Sequence, residues 1–155
     1  MARELERQID GFATLVVARG GGGFTAGQAA WFRDRVRIVR VETESSQCLR
    51  AALLAGETVE VPVSGVAADS LGAKRLGAVP WTILSHFVDE AVVVTDDDIR
   101  DAQRAIWNDL RLVAEPGGAA ALAAIRAGAY EPAPGERVVV VVCGSNCDPQ
   151  TVMGS

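Results

Sequence analysis

The sequence is short of the side chains that most often carry chemistry. It has one histidine, His86, one lysine, Lys74, and three cysteines, Cys48, Cys143 and Cys147. The cysteines are odd in number and form no CxxC pair. That excludes a disulfide framework and a zinc site of the usual spacing, and it fits a reducing, cytoplasmic setting. His86 sits in the apolar segment 81–87, where a core or interface histidine is expected rather than a catalytic one. Positive charge is scarce too, with 15 Lys and Arg against 20 Asp and Glu and a net charge of −5. Nucleic acid is thereby excluded as the main partner, because binding a phosphate backbone needs a basic face. No apolar run approaches the ~20 residues of a spanning helix. The opening residues 1–7 lack the apolar core of a secretory signal, so no membrane partner is expected.

What the sequence does have is glycine in one place. An apolar run, Leu15-Val16-Val17-Ala18, passes through Arg19 into Gly20-Gly21-Gly22-Gly23 and then into a helix-like segment from Phe24 to Phe32. Without Cβ atoms, successive backbone N–H groups can converge on an anion. A helix starting directly afterwards adds free N–H donors and the positive end of its dipole. The stretch reads as a phosphate cradle between a buried strand and a helix, the alternative being a flexible linker.

The 155 residues, 49% of them hydrophobic, are enough for one domain with a real core. Helical spacing of Ala2, Leu5 and Ile9 predicts a short helix over residues 2–10, followed by a strand over 13–18. Residues 35–42 read as a second strand, parallel to the first by right-handed crossover. A helix capped by Ser45 or Ser46 then runs through Leu49, Leu53 and Leu54 to Gly56. Residues 58–63 alternate as a weak strand interrupted by Pro62. Residues 64–77 form a loop with a short helix near 69–74, and Pro80 opens a helix containing Trp81, Leu84 and Phe87. After a strand at 91–94, Thr95 with Asp98 resembles a capping box for a helix whose apolar stripe runs from Ile99 to Val113. Residues 119–127 are apolar nearly all round and predict a buried helix. The five valines after Arg137 predict a central strand over 137–142, ending in the polar loop Cys143-Gly144-Ser145-Asn146. This alternation predicts an α/β fold, a mostly parallel twisted sheet with helices on both faces and ligands at the carboxyl ends of the strands.

Two chemistries fit the glycine loop. Gly21-x-Gly23-x-x-Ala26, with Glu42 ending the next strand, matches a nicotinamide dinucleotide fingerprint in which Glu42 would hold a ribose. Glu42 fits a structural role, solvated or capping the next helix, equally well. The other chemistry comes from resemblance. The tetraglycine block through Gly27, Ala67-Ala68-Asp69-Ser70, residues 112–122 with Glu115-Pro116-Gly117-Gly118, and residues 139–146 occur together and in order. In this they resemble the serine/threonine dehydratase family of fold-type II pyridoxal-phosphate enzymes, over the C-terminal half only.

The resemblance implies that pyridoxal 5′-phosphate is the cofactor, its phosphate held by backbone N–H groups of Gly20, Gly21, Gly22, Gly23 and Phe24. It also implies that Cys143 meets the pyridine nitrogen and that Glu115 lies near the cofactor. A neutral thiol does not keep that nitrogen protonated, which suits elimination of a β-hydroxyl from L-threonine or L-serine. Some members bind a cation through an acid matching Glu42, a carbonyl matching Ser46 and a second acid where this chain has Cys48; losing that oxygen ligand weakens or removes the site. The Schiff-base lysine of the family lies in the other half. Lys74, beside Arg75, reads as solvated, so the chain is expected to hold a non-covalent half-site and to be inactive alone. Its partner would be an N-terminal half or a second copy, with Trp31, Phe32, Trp81 and Phe87 as candidates to cover exposed apolar surface. A truncated interaction subunit is the non-enzymatic alternative.

Overall fold

Four of the apolar runs pair side by side. A computed structural model describes residues 1–87 and 90–153. In it β1 (Thr14–Ala18), β2 (Arg37–Thr43), β3 (Glu90–Val94) and β4 (Val138–Val140) form an all-parallel sheet in the order β3-β2-β1-β4. Register is set at Val16, which faces Val39 on one side and Val140 on the other. Leu15, Val16 and Val17 are wholly buried because both sheet faces are covered. Each such side chain contributes about 1.5–3 kcal/mol of transfer free energy.

Alternation along the strands sorts the helices into two layers. Leu15, Val17 and Ile38 pack against α1 (Ala2–Gln8), α2 (Gly23–Phe32), α3 (Cys48–Ala55) and α5 (Ala78–Leu84). Val16, Ala18, Val39 and Val41 pack against α6 (Asp96–Leu110) and α7 (Pro116–Arg126), with Leu71 of α4 (Ala68–Leu71) at the margin. A 3-10 turn, Arg33–Arg35, joins α2 to β2, and α8 (Gln150–Met153) buries Val152. The capping box forms as expected: Asp98 N–H donates to Thr95 Oγ1 at 3.2 Å, and Thr95 N–H to Asp98 Oδ2 at 2.9 Å. In α7, Ala119, Ala120, Ala121, Ala123 and Ala124 are fully buried, small enough to bring the helix backbone close to the sheet.

Several expectations are corrected. The five-valine run forms only the three-residue β4, at the edge of the sheet among the described residues, not at its centre. Val141 N–H still bonds to Val16 O at 3.1 Å, after which the chain turns aside. Residues 58–63 form no strand, since Val61 N–H donates to the Lys74 carbonyl and Pro62 has no N–H to extend a ladder. The long helix stops at Leu110, where Arg111 takes a left-handed conformation (φ 56°). The alanine helix begins earlier than expected, at Pro116, and includes Gly117 and Gly118. Gln47, not Ser45 or Ser46, precedes α3. His86 is exposed, with Nδ1 2.9 Å from the Thr82 carbonyl, and Phe32 is a core residue that cannot cover a partner. Among the described residues, no helix is long and apolar enough to cross a membrane.

Candidate functional site

The site grows from the carboxyl end of β1. Thr25 Oγ1 donates to the Ala18 carbonyl at 3.3 Å, tying the first turn of α2 back to the strand that feeds it. Gly22 precedes α2 at φ 90°, and a Cβ there would lie 2.8 Å from Pro80 Cβ and 2.9 Å from Leu76 Cδ2, so only glycine fits. The first helical bond runs from Ala26 N–H to Gly22 O at 2.8 Å. The N–H groups before Ala26 therefore have no acceptor in the helix, and no acidic side chain sits in its first turn.

Gly20, Gly21, Gly22, Gly23, Phe24, Glu115 and Cys143 all line one cavity of about 200 Å³. Segments more than a hundred residues apart in sequence thus meet at the strand ends. A Cβ on Gly23 would meet nothing within 4 Å, so that stretch of backbone faces open space. Ser70, Leu71, Gly117 and Gly118 complete the wall, and sequence reasoning assigned none of them a role. Gly117 N–H donates to Ser70 Oγ at 3.0 Å, fixing α4 against the start of α7. Gly118 lies so close to the other loop that a Cβ would come within 1.5 Å of the Cys143 carbonyl oxygen. The pair also shares a bond, Cys143 N–H to Gly118 O at 3.3 Å. Ser70, Gly117 and Gly118 do stand in the sequence blocks that carry the family resemblance, but nothing local to them gave a role.

Glu115 sits at the N-terminus of α7 and holds the 143–147 loop. Its N–H donates to Gly144 O at 3.0 Å, and its Oε2 accepts from Asn146 N–H at 3.2 Å. Desolvation by the surrounding atoms, and secondarily the Glu115 carboxylate, push the Cys143 thiol above its ordinary range, although the residue itself is exposed at the edge of the cavity. Cys48 is likewise raised by burial.

Glu42 and Ser46 lie elsewhere, below the glycine loop. Glu42 is buried, with Oε1 accepting from Leu49 N–H at 3.0 Å and Oε2 from Arg50 N–H at 2.9 Å, so it caps α3 through its side chain. Arg19 Nε lies 2.9 Å from the same Oε1. Buried and turned onto Arg19 and α3, Glu42 is not among the residues that line the glycine-loop cavity. Ser46 Oγ donates to the Leu71 carbonyl at 3.4 Å. Among the described residues, no three His, Cys, Asp or Glu side chains cluster as a metal site would require. A more open hollow of about 480 Å³, beside Ser46 and Leu54, contains none of the expected cofactor residues. Lys74 is exposed and does not line the cavity.

Comparison with known proteins is consistent across the chain. A family model described as pyridoxal-phosphate dependent enzyme matches residues 1–144. The biosynthetic L-threonine dehydratase IlvA of Salmonella typhimurium is 35% identical over 150 residues, covering 94% of this chain and 29% of the relative. Phenylserine dehydratase of Ralstonia pickettii is 30% identical, covering 97% of this chain and 47% of the relative. Among solved structures, the processed form of threonine deaminase isoform 2 from Solanum lycopersicum superposes with a TM-score of 0.85 at 25% identity, over 95% of this chain and 44% of that one. The chain therefore spans less than half the length of each of these relatives.

Proposed function

This chain belongs to the pyridoxal-phosphate dependent enzyme family, and from that membership we propose that it is the cofactor-phosphate-binding C-terminal half of a serine/threonine dehydratase-like enzyme. Residues 1–155 would act as one α/β domain of that enzyme. The observation that carries the reading is the cavity itself: free N–H groups at the start of α2, no acidic side chain in its first turn, and open space beside Gly23. Such a wall favours a phosphate dianion through N–H donors and the helix dipole.

When bound, pyridoxal phosphate supplies an electron sink that allows a β-hydroxyl to leave an amino acid. The rest is assigned to this chain's own groups. The N–H groups of Gly20 to Phe24 bind the phosphate and fix its position. Cys143 presents a protonated thiol toward a ring nitrogen, without the negative charge that would hold that nitrogen protonated. Glu115 keeps the Cys143 loop in place through Gly144 and Asn146. Gly117 and Gly118 let α7 approach closely enough to exclude water from one wall. Lys74 is exposed and does not line the cavity, so the amine that this chemistry needs would be supplied by a part of the enzyme other than residues 1–155. Threonine and serine are the substrate class this reading favours.

The test is a tryptophan-fluorescence titration with pyridoxal 5′-phosphate, with inorganic phosphate and a nicotinamide dinucleotide as competitors. Expected is saturable binding that survives Lys74→Ala, weakens in Gly21→Asp and is displaced by phosphate but not by the dinucleotide. Absence of saturable binding, or its loss in Lys74→Ala alone, overturns the reading.

A further inference from the structure

We propose that Arg19 is the resident cation of this site: its guanidinium neutralises Glu42 from within the chain, clamps the glycine loop at its first carbonyl and leaves no place for a divalent cation. The clamp's effect on the cofactor rests on reading the loop as a phosphate cradle; the neutralisation of Glu42 does not.

Arg19 leaves β1 on the face that carries Leu15 and Val17, and its side chain is 0% exposed. Burying a guanidinium requires a counter-charge, and here Glu42 supplies it, although Nε and Nη2 meet no hydrogen-bond acceptor among the described residues. Here Nε lies 2.9 Å from Glu42 Oε1, and Nη1 donates both to Cys48 Sγ at 2.8 Å and to the Gly20 carbonyl. The parallel register brings this about. Ala18 pairs with Val41, so the next residue of each strand, Arg19 and Glu42, stand side by side. Glu42 also takes the Leu49 and Arg50 N–H groups, so its charge meets one guanidinium and one helix N-terminus.

The family resemblance implies a cation held by Glu42, the Ser46 carbonyl and the residue at 48. These residues do not fit one. A hard divalent ion requires several oxygen ligands, whereas residue 48 offers a cysteine sulfur in place of an oxygen, and both Glu42 oxygens already accept hydrogen bonds. Arg19 joins the acid at 42 and the side chain at 48, the two outer members of that set.

The contact with Gly20 extends the consequence to the cavity. In a trans peptide the C=O and the following N–H lie in one plane and point in opposite directions across the C–N bond. Holding the Gly20 carbonyl toward the guanidinium therefore turns the Gly21 N–H away from it, onto the side where a phosphate oxygen would be met. Arg19 acts as a positioning residue, through the backbone and without touching the ligand.

The experiment uses the full chain in two arms. In the first, thermal melting is followed with Mg²⁺, Ca²⁺ or EDTA. The unaltered chain is expected to show no shift, and Arg19→Met, with Glu42 left buried and unneutralised, to melt lower than Arg19→Met/Glu42→Gln, which restores neutrality. A saturable shift in the unaltered chain that Glu42→Gln abolishes overturns the proposal. In the second arm, phosphate and pyridoxal 5′-phosphate are titrated by calorimetry into Arg19→Lys and into Arg19→Met/Glu42→Gln, which removes both charges together so that the fold is not left with one of them buried. Expected is a Kd raised about tenfold or more in the double variant, with partial recovery in Arg19→Lys. A folded double variant with unchanged Kd overturns the clamp. If the unaltered chain binds neither ligand, the cofactor reading fails, while the first arm still decides the role of Arg19.

Discussion

At the carboxyl ends of the strands the walls are backbone: glycines, the start of α7, and the Cys143 carbonyl within reach of Gly118. At the amino ends they are side chains. Thr14 Oγ1 and the Tyr130 hydroxyl both donate to Glu136 Oε1, the second at 2.7 Å, and Glu136 Oε2 accepts from Ala133 N–H at 2.7 Å. Arg37 lies over the Tyr130 ring, 5.7 Å from its centroid, and Arg137 reaches the Asp10 carbonyl. One end keeps donors free for a ligand and keeps bulk out; the other uses its donors on itself. On the function proposed above, stability and binding are therefore separable along the strand axis.

Substitutions can break that separation or sharpen it. The largest effect is expected for Gly118→Ala, where backbone must move to admit a methyl. A loss of about 3 kcal/mol by urea denaturation, together with loss of phosphate binding, is the expected result. At the opposite end, Tyr130→Phe removes one donor to a carboxylate and should cost about 1.5 kcal/mol, leaving phosphate affinity unchanged in calorimetry. Acid reads the same cluster. The Thr14 and Tyr130 hydroxyls, then the Ala133 N–H, hold Glu136 down at about 2, below its ordinary 4.5. Because the folded value is depressed, its stabilisation is complete above the ordinary value and is lost as pH falls from there through about 2. Melting temperatures of Glu136→Gln should accordingly show less acid dependence over that interval than the unaltered chain. The smallest effect on stability is expected for Gly23→Ala: no atom opposes the added methyl, so stability should hold or rise by about 0.5 kcal/mol. Phosphate affinity should nonetheless fall, because the methyl enters the cavity. Equal binding by Gly23→Ala, or altered binding by Tyr130→Phe, would remove the distinction between the two ends.

Much of this was legible in the sequence because it is local. Continuous apolar runs marked β1 and β3, the β-branched residues set between arginines in 35–42 marked β2, Thr95 and Asp98 marked α6, and the tetraglycine marked the loop that follows β1. What was not legible depends on neighbours distant in the chain. Gly117 and Gly118 have poor helix propensity, and only the approach of the Cys143 loop explains why they are helical. Ser70 is an unremarkable polar residue until Gly117 N–H is set beside it. The five valines suggested a central strand, but their place in the sheet follows from which strands β1 and β2 pair with, and β4 ends where Val141 leaves for the loop. Glu42 was open to ribose, cation or capping roles until strand register put Arg19 alongside it.

The pairing of β1 with β4 sets a sequence of events in time. Thr14 must meet Val138 across most of the chain, whereas β1, α2 and β2 are neighbours. Long closures are slow relative to local ones. The wall opposite the glycine loop is complete only with the segment that follows β4 in place, since Cys143 lines the cavity. A ligand that needs both walls recognises only molecules that have completed that closure, and by mass action it draws the population toward them.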